Sequence, residues 1–243
     1  MKQRSHIYLA SAVIGFFALG HASASVLAET TTYNPNLVIP DGSTLGVADT
    51  QTIASQIAVI SEVRVSMSIL GEPGSGDAFN GDFYAYLTHG SGFAVLLNRV
   101  GRTMSDDFGY DDSGFNVVFD DSPSGNDIHL YQLTTNTGGA GLTGTWGSDG
   151  RNVNPGAALD TTPRTAFLDS FTGLDPNGDW TLFVADVSPL GTARLASWQL
   201  EVTGGSIPEP SSVFLAIFGG AALVGCSRCR IPTKIMCESE NRC

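Results

Sequence analysis

The 243-residue chain has no cysteine and no lysine between residues 29 and 207. All four of its cysteines follow that body, at Cys226, Cys229, Cys237 and Cys243. The absence of cysteine excludes a disulfide framework, so the stability of the body has to come from packing. The C-x-x-C formed by Cys226 and Cys229 is a weak zinc signal, because zinc needs two further ligands and a fold that presents them.

Positive charge is scarce as well. Between residues 29 and 207 there are six arginines against 21 aspartates and glutamates, a formal charge of −15. Such a surface repels nucleic acid and offers no basic patch to an anionic membrane. The body of about 180 residues is long enough for one domain with a substantial core.

Long apolar runs are also missing. The uncharged stretch at residues 213–225 is 13 residues long, whereas a membrane span needs roughly 17–25 residues. We expect it to form a short C-terminal apolar helix.

The N-terminus, residues 1–28, has the pattern of a secretory signal peptide. Lys2 and Arg4 precede an apolar segment, and small residues at 22–24 or 26–28 offer two cleavage sites. We therefore expect an exported protein. A retained anchor helix is the alternative, which the short apolar segment and the small-residue site disfavour.

The apolar residues of the body recur with a period of two, which predicts half-buried strands. Five runs show one apolar face each: Val63, Val65, Met67, Ile69; Phe83, Ala85, Leu87; Phe115, Val117, Phe119; Trp180, Leu182, Val184; and Trp198, Leu200, Val202. The intervening segments GEPGSGD, DDSPSGND, NTGGAGLTGTWGSDG and LDPNGD are rich in turn formers. No helical period or internal repeat is present, so we predict an all-β sandwich or jelly roll.

Several of these residues carry a resemblance to the P domain, or Homo B domain, of kexin- and furin-like proprotein convertases. The similarity spans residues 36–203 within a domain predicted at 29–205, and it is loose between residues 102 and 163. It departs from the family pattern at His89 and Gly90, where a proline is expected. The matching motif residues are Gly81, Asp82, Gly178, Trp180, Asp186, Gly191 and Trp198.

The resemblance implies a jelly-roll β-sandwich and does not imply proteolysis, because the convertases carry their chemistry in a separate domain. The body has two histidines, His89 and His129, and no G-x-S-x-G. Both histidines are expected to be ordinary polar residues of strands, so no catalytic residue is assigned. A carboxylate-based hydrolase acting on extracellular glycans is a weaker alternative, since two acidic side chains could meet.

Clustered acidic residues raise the hypothesis of a structural Ca²⁺, which takes six to eight oxygen ligands from loops. Some P-domain-like jelly rolls hold calcium. The alternative is that these are solvated acidic loops that keep a secreted protein soluble. The candidate ligands are Asp106, Asp107, Asp111, Asp112, Asp120, Asp121, Asp175, Asn177 and Asp179, with Asp82 and Asp186 as additional ones.

The C-terminal segment, residues 206–230, has Pro208, Glu209 and Pro210, then the apolar run, then a basic cluster at Arg228 and Arg230. In this order and position it resembles the PEP-CTERM sorting signal of exopolysaccharide-producing bacteria. The resemblance implies transient anchoring in the inner membrane with the basic cluster in the cytoplasm, followed by cleavage by an exosortase. The basic cluster is thinner than is usual, and residues 231–243 remain unassigned.

Together these features predict an exported, non-enzymatic protein of the cell surface or extracellular matrix, with a structural or adhesive role in exopolysaccharide. Candidate sugar-stacking residues are Tyr84, Tyr86, Tyr110 and Trp146, although aromatic residues in strands are more often part of the core. A rival interpretation is a separately encoded accessory module of a secreted subtilisin-like protease.

Overall fold

A computed structural model describes residues 25–74, 77–122 and 126–206. These residues contain ten strands: β1 (Val26–Tyr33), β2 (Leu37–Ile39), β3 (Ser43–Ile53), β4 (Ile57–Gly71), β5 (Phe83–His89), β6 (Gly92–Asn98), β7 (Phe115–Phe119), β8 (Leu142–Trp146), β9 (Gly178–Asp186) and β10 (Ala193–Ser206). Short 3-10 turns occur at Asn80–Asp82, Ile128–Leu133, Pro155–Ala157 and Leu168–Phe171. In this part of the chain no helix is long and apolar enough to cross a membrane.

The strands form two sheets. The first has the order β1-β10-β4-β7-β8, with β2 also paired to β10, and the second has the order β3-β9-β5-β6. All strand pairs are antiparallel except β7 with β8. When β2 and β8 are set aside, the remaining eight strands have the order of a jelly roll. The predicted all-β fold class is confirmed.

The core lies between the sheets and consists of the side chains that the period-two pattern placed on one face. All five predicted runs bury their apolar residues, including Trp180 and Trp198. Burying one large apolar side chain contributes roughly 1.5–3 kcal/mol. Packing of this face therefore accounts for the stability of a body without disulfides.

Strand β8 corrects the expectation that residues 136–150 form a loop. Leu142 and Trp146 are buried, but the three residues between them are an exposed Thr-Gly-Thr, which hides the strand in a glycine-rich segment. Strand β3 was also not recognised, because its inward positions include Asp49 and Gln51. Asp49 accepts a hydrogen bond from the Trp198 indole (Nε1 to Oδ2, 2.7 Å), which satisfies its carboxylate at the core margin.

The first and last described residues lie at one end of the sandwich, and the turn between β9 and β10 lies at the other. Ser206, at the end of β10, donates its backbone N–H to the carbonyl of Ser25 (2.8 Å), so both ends of the described body meet at what we call the terminal end. The turn between β9 and β10 lies at the other end of β10, roughly 40 Å away at about 3.3 Å per residue. We call this the loop end.

Strands β1 and β10 extend the sandwich slightly beyond its expected limits of 29 and 205. Val26 pairs with Gly205, and Ala28 pairs with Thr203. Cleavage after the small residues at 26–28 would remove the start of β1, whereas cleavage after residues 22–24 leaves the whole strand.

Candidate functional site

Four aromatic side chains lie together on the outer face of the second sheet. Tyr84 and Tyr86 come from β5, Phe93 from β6 and Phe183 from β9, and we call this group the aromatic strip. Tyr86 lies opposite Phe183 in register, and their rings stack at 4.7 Å between centroids. Phe93 lies 5.4 Å from Tyr86.

The aromatic strip occupies positions that would ordinarily be polar. The alternate residues of β5, Phe83, Ala85 and Leu87, face the core, so Tyr84 and Tyr86 point to the solvent side and are half-buried. An antiparallel sheet with one face on the core commonly presents polar residues on the other. A contiguous apolar surface at such positions is typical of an interaction site.

The other two candidate stacking residues have different surroundings. Trp146 is buried, packs edge-on against Tyr131 at 6.0 Å, and donates its indole N–H to the carbonyl of Thr143 (2.9 Å). It is a core residue and not a surface for a ligand. Tyr110 lies at the loop end.

A cavity of about 210 Å³ opens at the loop end, and we call it the notch. It is formed by the loop at residues 106–111 and the turn at 188–190. Its lining consists of Phe79, Asp82, Phe108, Gly109, Tyr110, Asp111, Ser188, Pro189 and Leu190. Phe108 and Leu190 are each 73% exposed. The notch is thus an apolar recess with carboxylates at its base and rim.

Two buried carboxylates lie at this end of the sandwich: Asp82 lines the notch, and Asp186 lies near Asp82 outside the lining. Asp82 is 5% exposed and Asp186 is 2% exposed. Burial raises the pKa of Asp82 to about 6. Burial and the neighbouring Asp82 raise the pKa of Asp186 to about 7.

Arg99 is the cation beside this pair, but it neutralises the pair only weakly. Its Nη2 lies 3.9 Å from Asp82 Oδ1, while the guanidinium donates to the carbonyls of Gly81 and Asp107. Burial lowers the pKa of Arg99 against the attraction of Asp82. The two carboxylates therefore share one guanidinium whose hydrogen bonds go to the backbone.

Backbone strain is concentrated around the notch. Of the three non-glycine residues with positive φ in the described segments, Arg99 (φ 54°) and Leu190 (φ 89°) lie at this end of the sandwich. Gly191 also has positive φ, and a Cβ on Gly81 would collide with the carbonyl of Phe108. The P-domain-like residues Gly81, Asp82, Asp186 and Gly191, far apart in sequence, are thus brought together here.

The carboxylate pair does not have the arrangement of a glycoside hydrolase. Such an enzyme needs both carboxyl groups on either side of the substrate, whereas Asp82 lines the notch and Asp186 does not. Asp186 instead accepts the backbone N–H of Ser188 (3.3 Å). This pair therefore gives no support to the hydrolase alternative.

The motif residues Gly178, Trp180 and Trp198 lie elsewhere and are structural. Gly178 begins β9 with positive φ, and the Trp180 indole donates to the carbonyl of Pro176 (2.9 Å). The His89 ring stacks on Trp180 at 4.1 Å. Its two nitrogens lie 2.7 and 2.9 Å from the carbonyl oxygens of Asp175 and Asp179. His89, the departure from the family pattern, thus holds the turn before β9.

A second cluster of buried charged side chains, centred on Asp149, was not predicted from the sequence. His129 and Asp149 are fully buried and Arg151 is 2% exposed. His129 Nδ1 lies 2.8 Å from Asp149 Oδ2. Arg151 contacts Asp127 Oδ2 at 3.0 Å and Asp149 Oδ1 at 3.3 Å. We call these four residues the Asp149 cluster.

A histidine paired with an aspartate is part of a catalytic triad, but the Asp149 cluster lacks the rest of that arrangement. The second ring nitrogen of His129, Nε2, faces the backbone carbonyl of Arg102 at 3.1 Å, where a triad would place its nucleophile. The side chain is also sealed from solvent. The contacts of this histidine are structural. The expectation of an ordinary polar residue of a strand is wrong for it, because His129 is fully buried and lies in the 3-10 turn Ile128–Leu133.

The candidate calcium ligands are distributed over the sandwich. Asp82 and Asp186 lie at the loop end, whereas Asp175, Asn177 and Asp179 precede or begin β9 at the terminal end. The length of β9 separates the two groups by roughly 20 Å. Among residues 25–74, 77–122 and 126–206, no group of three or more His, Cys, Asp or Glu side chains has the geometry of a metal site.

Most of these carboxylates already accept hydrogen bonds or ion pairs within the protein. The donors are Phe108 N and Gly109 N for Asp106, Arg102 for Asp107, Tyr131 Oη and Gln132 for Asp112, Arg64 for Asp120, Ser148 and Leu168 N for Asp121, Asn177 for Asp175, and Thr52 for Asp179. Asp111 lies at the rim of the notch. The sequence pattern therefore also reflects loop capping, and calcium remains a hypothesis.

The sorting motif Pro208, Glu209 and Pro210 and the basic cluster Arg228 and Arg230 lie outside the described residues, as do residues 1–24 of the predicted signal peptide. The sorting signal and its exosortase therefore stay predictions.

The described residues define the chain as an all-β jelly-roll sandwich, which is compatible with the P-domain resemblance. No family model matches the chain, and no curated protein matches it. A solved structure of an Aeromonas sobria serine protease in complex with its chaperone aligns at a TM-score of 0.42 and 16% identity, covering 75% of this chain and 28% of that chain. A likeness at this level does not assign a partner or an activity.

Proposed function

We propose that this chain is an exported, non-catalytic surface or matrix protein that adheres to exopolysaccharide through the aromatic strip. The observation that carries the proposal is the strip itself, four neighbouring rings on a sheet face where alternation would place polar side chains. The apolar C–H face of a pyranose ring packs against aromatic rings, and tyrosine hydroxyls add hydrogen bonds to sugar hydroxyls.

Threonine hydroxyls beside the strip supply further polar contacts. Thr88 and Thr181 are cross-strand neighbours on the same face, and Thr181 Oγ1 lies 2.8 Å from Thr50 Oγ1. A surface with aromatic rings next to hydroxyls suits a neutral sugar chain. The acidic body disfavours strongly anionic polymers.

The sequence that follows the sandwich supports its sorting by the C-terminal segment. Pro208, Glu209 and Pro210 precede the apolar run at residues 213–225 and the basic cluster at Arg228 and Arg230. On this proposal an exosortase acts at Pro208, Glu209 and Pro210 after transient anchoring in the inner membrane.

The adhesion proposal is tested with matrix polysaccharide purified from the native host and the full-length protein in a sedimentation assay. We expect Tyr86→Ala combined with Phe183→Ala to weaken binding at least tenfold. Phe108→Ala, which removes an exposed ring at the loop end, is the matched control and should change binding less than twofold. Equal binding by all three proteins would refute adhesion through the strip.

The sorting proposal is tested separately by intact mass of the protein from the host surface and medium. We expect a C-terminus near Pro210 and an N-terminus at Ser25, since cleavage after residues 22–24 keeps β1 whole. A mass that still includes Cys243 would contradict processing by an exosortase.

The notch favours a second candidate function, an accessory module that docks onto a secreted protease. A strained apolar recess with exposed Phe108 and Leu190 is typical of a protein-binding surface. Co-purification of a subtilisin-like protease with the native protein would support this candidate, and loss of its capture by Phe108→Ala would locate the contact.

A further inference from the structure

We infer that the notch at the loop end receives a single arginine or lysine side chain from a basic protein partner. This inference concerns a different surface from the aromatic strip and does not depend on adhesion to polysaccharide. It is drawn from the size of the notch, from its negative charge, and from the hydrogen bonds of the nearby Arg99, which go to backbone carbonyls.

The size of the notch fits one long side chain. Its volume of about 210 Å³ lies below the roughly 300–1,000 Å³ of sites for whole small molecules. The walls formed by Phe79, Phe108 and Leu190 suit the apolar stem of a basic side chain. Long basic side chains commonly pack their stems on apolar surface and place the charge at a polar group.

The negative charges of the notch favour a cationic ligand. Asp82 lies at its base and Asp111 at its rim, while Asp41 and Asp186 add negative charge close to Asp82. Arg99 does not fill this need, since its Nη2 stops 3.9 Å from Asp82 and its hydrogen bonds go to backbone carbonyls. An incoming guanidinium or ammonium group would complete the neutralisation.

A second copy of this chain is a poor source of the cation. Its body between residues 29 and 207 contains no lysine, and each of its six arginines already forms an ion pair with a carboxylate: Arg64, Arg99, Arg102, Arg151, Arg164 and Arg194. The body has a formal charge of −15, so two copies also repel each other. The occupant we propose is an exposed basic residue of a different protein, which this acidic surface attracts over distance.

The backbone at the rim agrees with a binding role. Leu190 has a φ of 89°, which is unfavourable for a residue with a Cβ, and its side chain is 73% exposed. Packing in the core therefore does not explain why a leucine occupies this position. Strain of this kind clusters at ligand-binding sites.

The test uses the ¹⁵N-labelled full-length protein and two blocked pentapeptides, Gly-Gly-Arg-Gly-Gly and the same peptide with citrulline, which has nearly the same shape without the charge. We expect the arginine peptide to shift the amide signals of Phe108, Gly109 and Leu190 at millimolar concentration. The citrulline peptide should bind at least tenfold more weakly. Equal binding of the two peptides would overturn the inference.

Two variants locate the site, because Asp82 is buried and Asp82→Asn alone could perturb the fold. Asp82→Asn and the exposed Asp111→Asn should each weaken arginine binding at least fivefold. The control is Glu62→Gln, which should leave binding within twofold. Glu62 lines a separate acidic groove, the Glu62 groove, together with Asp120, Asp121 and Asp169. Unchanged binding in both notch variants, or shifts centred on the Glu62 groove, would refute the site.

Binding should also strengthen between pH 5 and pH 8. Asp82 faces Arg99, Asp186, Asp41 and Ser188, and burial raises its pKa to about 6, so it carries full charge only above that pH. Binding that is equal at pH 5 and pH 8 would contradict a role for Asp82.

Discussion

Two clusters of buried charged side chains in this sandwich differ in how completely opposite charges neutralise them. In the Asp149 cluster, Arg151 is held between Asp127 and Asp149 at 3.0 and 3.3 Å. Burial by itself would lower the pKa of Arg151, but hydrogen bonds and attraction from these two carboxylates outweigh it and raise that pKa. At the loop end, two carboxylates share one arginine, and burial raises the pKa of both.

This contrast between the Asp149 cluster and the loop-end pair shows that burial of a charge does not by itself indicate function. A buried charge is tolerated when its partners satisfy it, as in the Asp149 cluster, and breaking such a pair is costly. The loop-end pair is under-neutralised and one of its members faces a cavity. It therefore reduces the stability of the folded state at neutral pH and keeps a carboxylate available to a partner.

The largest expected effect comes from breaking the satisfied cluster. Asp149→Asn removes the carboxylate shared by His129 and Arg151 and leaves a buried guanidinium with one carboxylate fewer. We expect a loss of about 3–5 kcal/mol in the free energy of unfolding, measured by urea denaturation at pH 7. The matched control is Glu62→Gln, which breaks the exposed pair with Arg64 and should cost less than about 1 kcal/mol. Similar losses of unfolding free energy in the two variants would show that the buried Asp149 cluster contributes no more to stability than the exposed pair.

The loop-end pair predicts an opposite, pH-dependent effect in the unaltered protein. The folded pKa values of Asp82 and Asp186 are about 6 and about 7, above the value of about 3.9 for an unfolded aspartate. Between pH 5 and pH 8 the folded state therefore binds more protons than the unfolded state, and stability falls as pH rises. We expect a decrease on the order of 3 kcal/mol over this window, measured by denaturation at several pH values.

Asp112, whose pKa shifts in the opposite direction, does not cancel this trend in the same window. Burial would raise the pKa of Asp112, but hydrogen bonds from Thr137, Tyr131 and Gln132 outweigh it and lower that pKa. The stability from Asp112 is thus complete above about pH 4 and is lost as pH falls further. Constant or rising stability from pH 5 to pH 8 would show that the loop-end carboxylates are better neutralised than their contacts indicate.

A smaller effect isolates one member of the pair. Asp186→Asn keeps an oxygen acceptor for the Ser188 N–H and removes the charge, so we expect the variant to be stabilised, by on the order of 2 kcal/mol more at pH 8 than at pH 5. The measurement is the difference between the unfolding free energies of the variant and the unaltered protein. The two histidines are common to both proteins and cancel in that difference. Destabilisation at both pH values would show that Asp186 is needed as a carboxylate.

Sequence reasoning predicted the core of this fold well and the charge clusters poorly. The period-two runs gave the inward faces of β4, β5, β7, β9 and β10, because alternate burial on a sheet leaves a direct trace in the order of residues. The other strands were not among these runs. In β3, Asp49 occupies an inward position, and in β8 glycine and threonine separate Leu142 from Trp146. Strands β1, β2 and β6 were also not predicted from alternation.

The sites depend on contacts that no local pattern encodes. Tyr84 and Tyr86 could be named from their alternation with core residues, but Phe93 and Phe183 join them only through strand pairing. Asp82 and Asp186 were singled out by family resemblance and proposed as calcium ligands, while their meeting with Arg99 follows from the topology of β5, β6 and β9. Asp149 and His129 are separated by 20 residues, and nothing in either neighbourhood signals the pair.

The smallest expected effect concerns the strain at the notch. Leu190→Gly removes the Cβ that disfavours a φ of 89°, which should recover about 1–2 kcal/mol of local strain. The greater freedom of glycine in the unfolded chain offsets about 0.4–1 kcal/mol of that gain. We therefore expect a net stabilisation of less than about 1 kcal/mol in urea denaturation, together with weaker binding of the arginine pentapeptide because one apolar wall of the notch is lost. Leu190→Ala is the control, because it shortens the side chain and keeps the Cβ that disfavours this φ, and it should not stabilise the protein. If Leu190→Gly destabilised the protein as much as Leu190→Ala does, the leucine would contribute to folding, and the view of the loop end as a surface kept for binding at the expense of stability would be wrong.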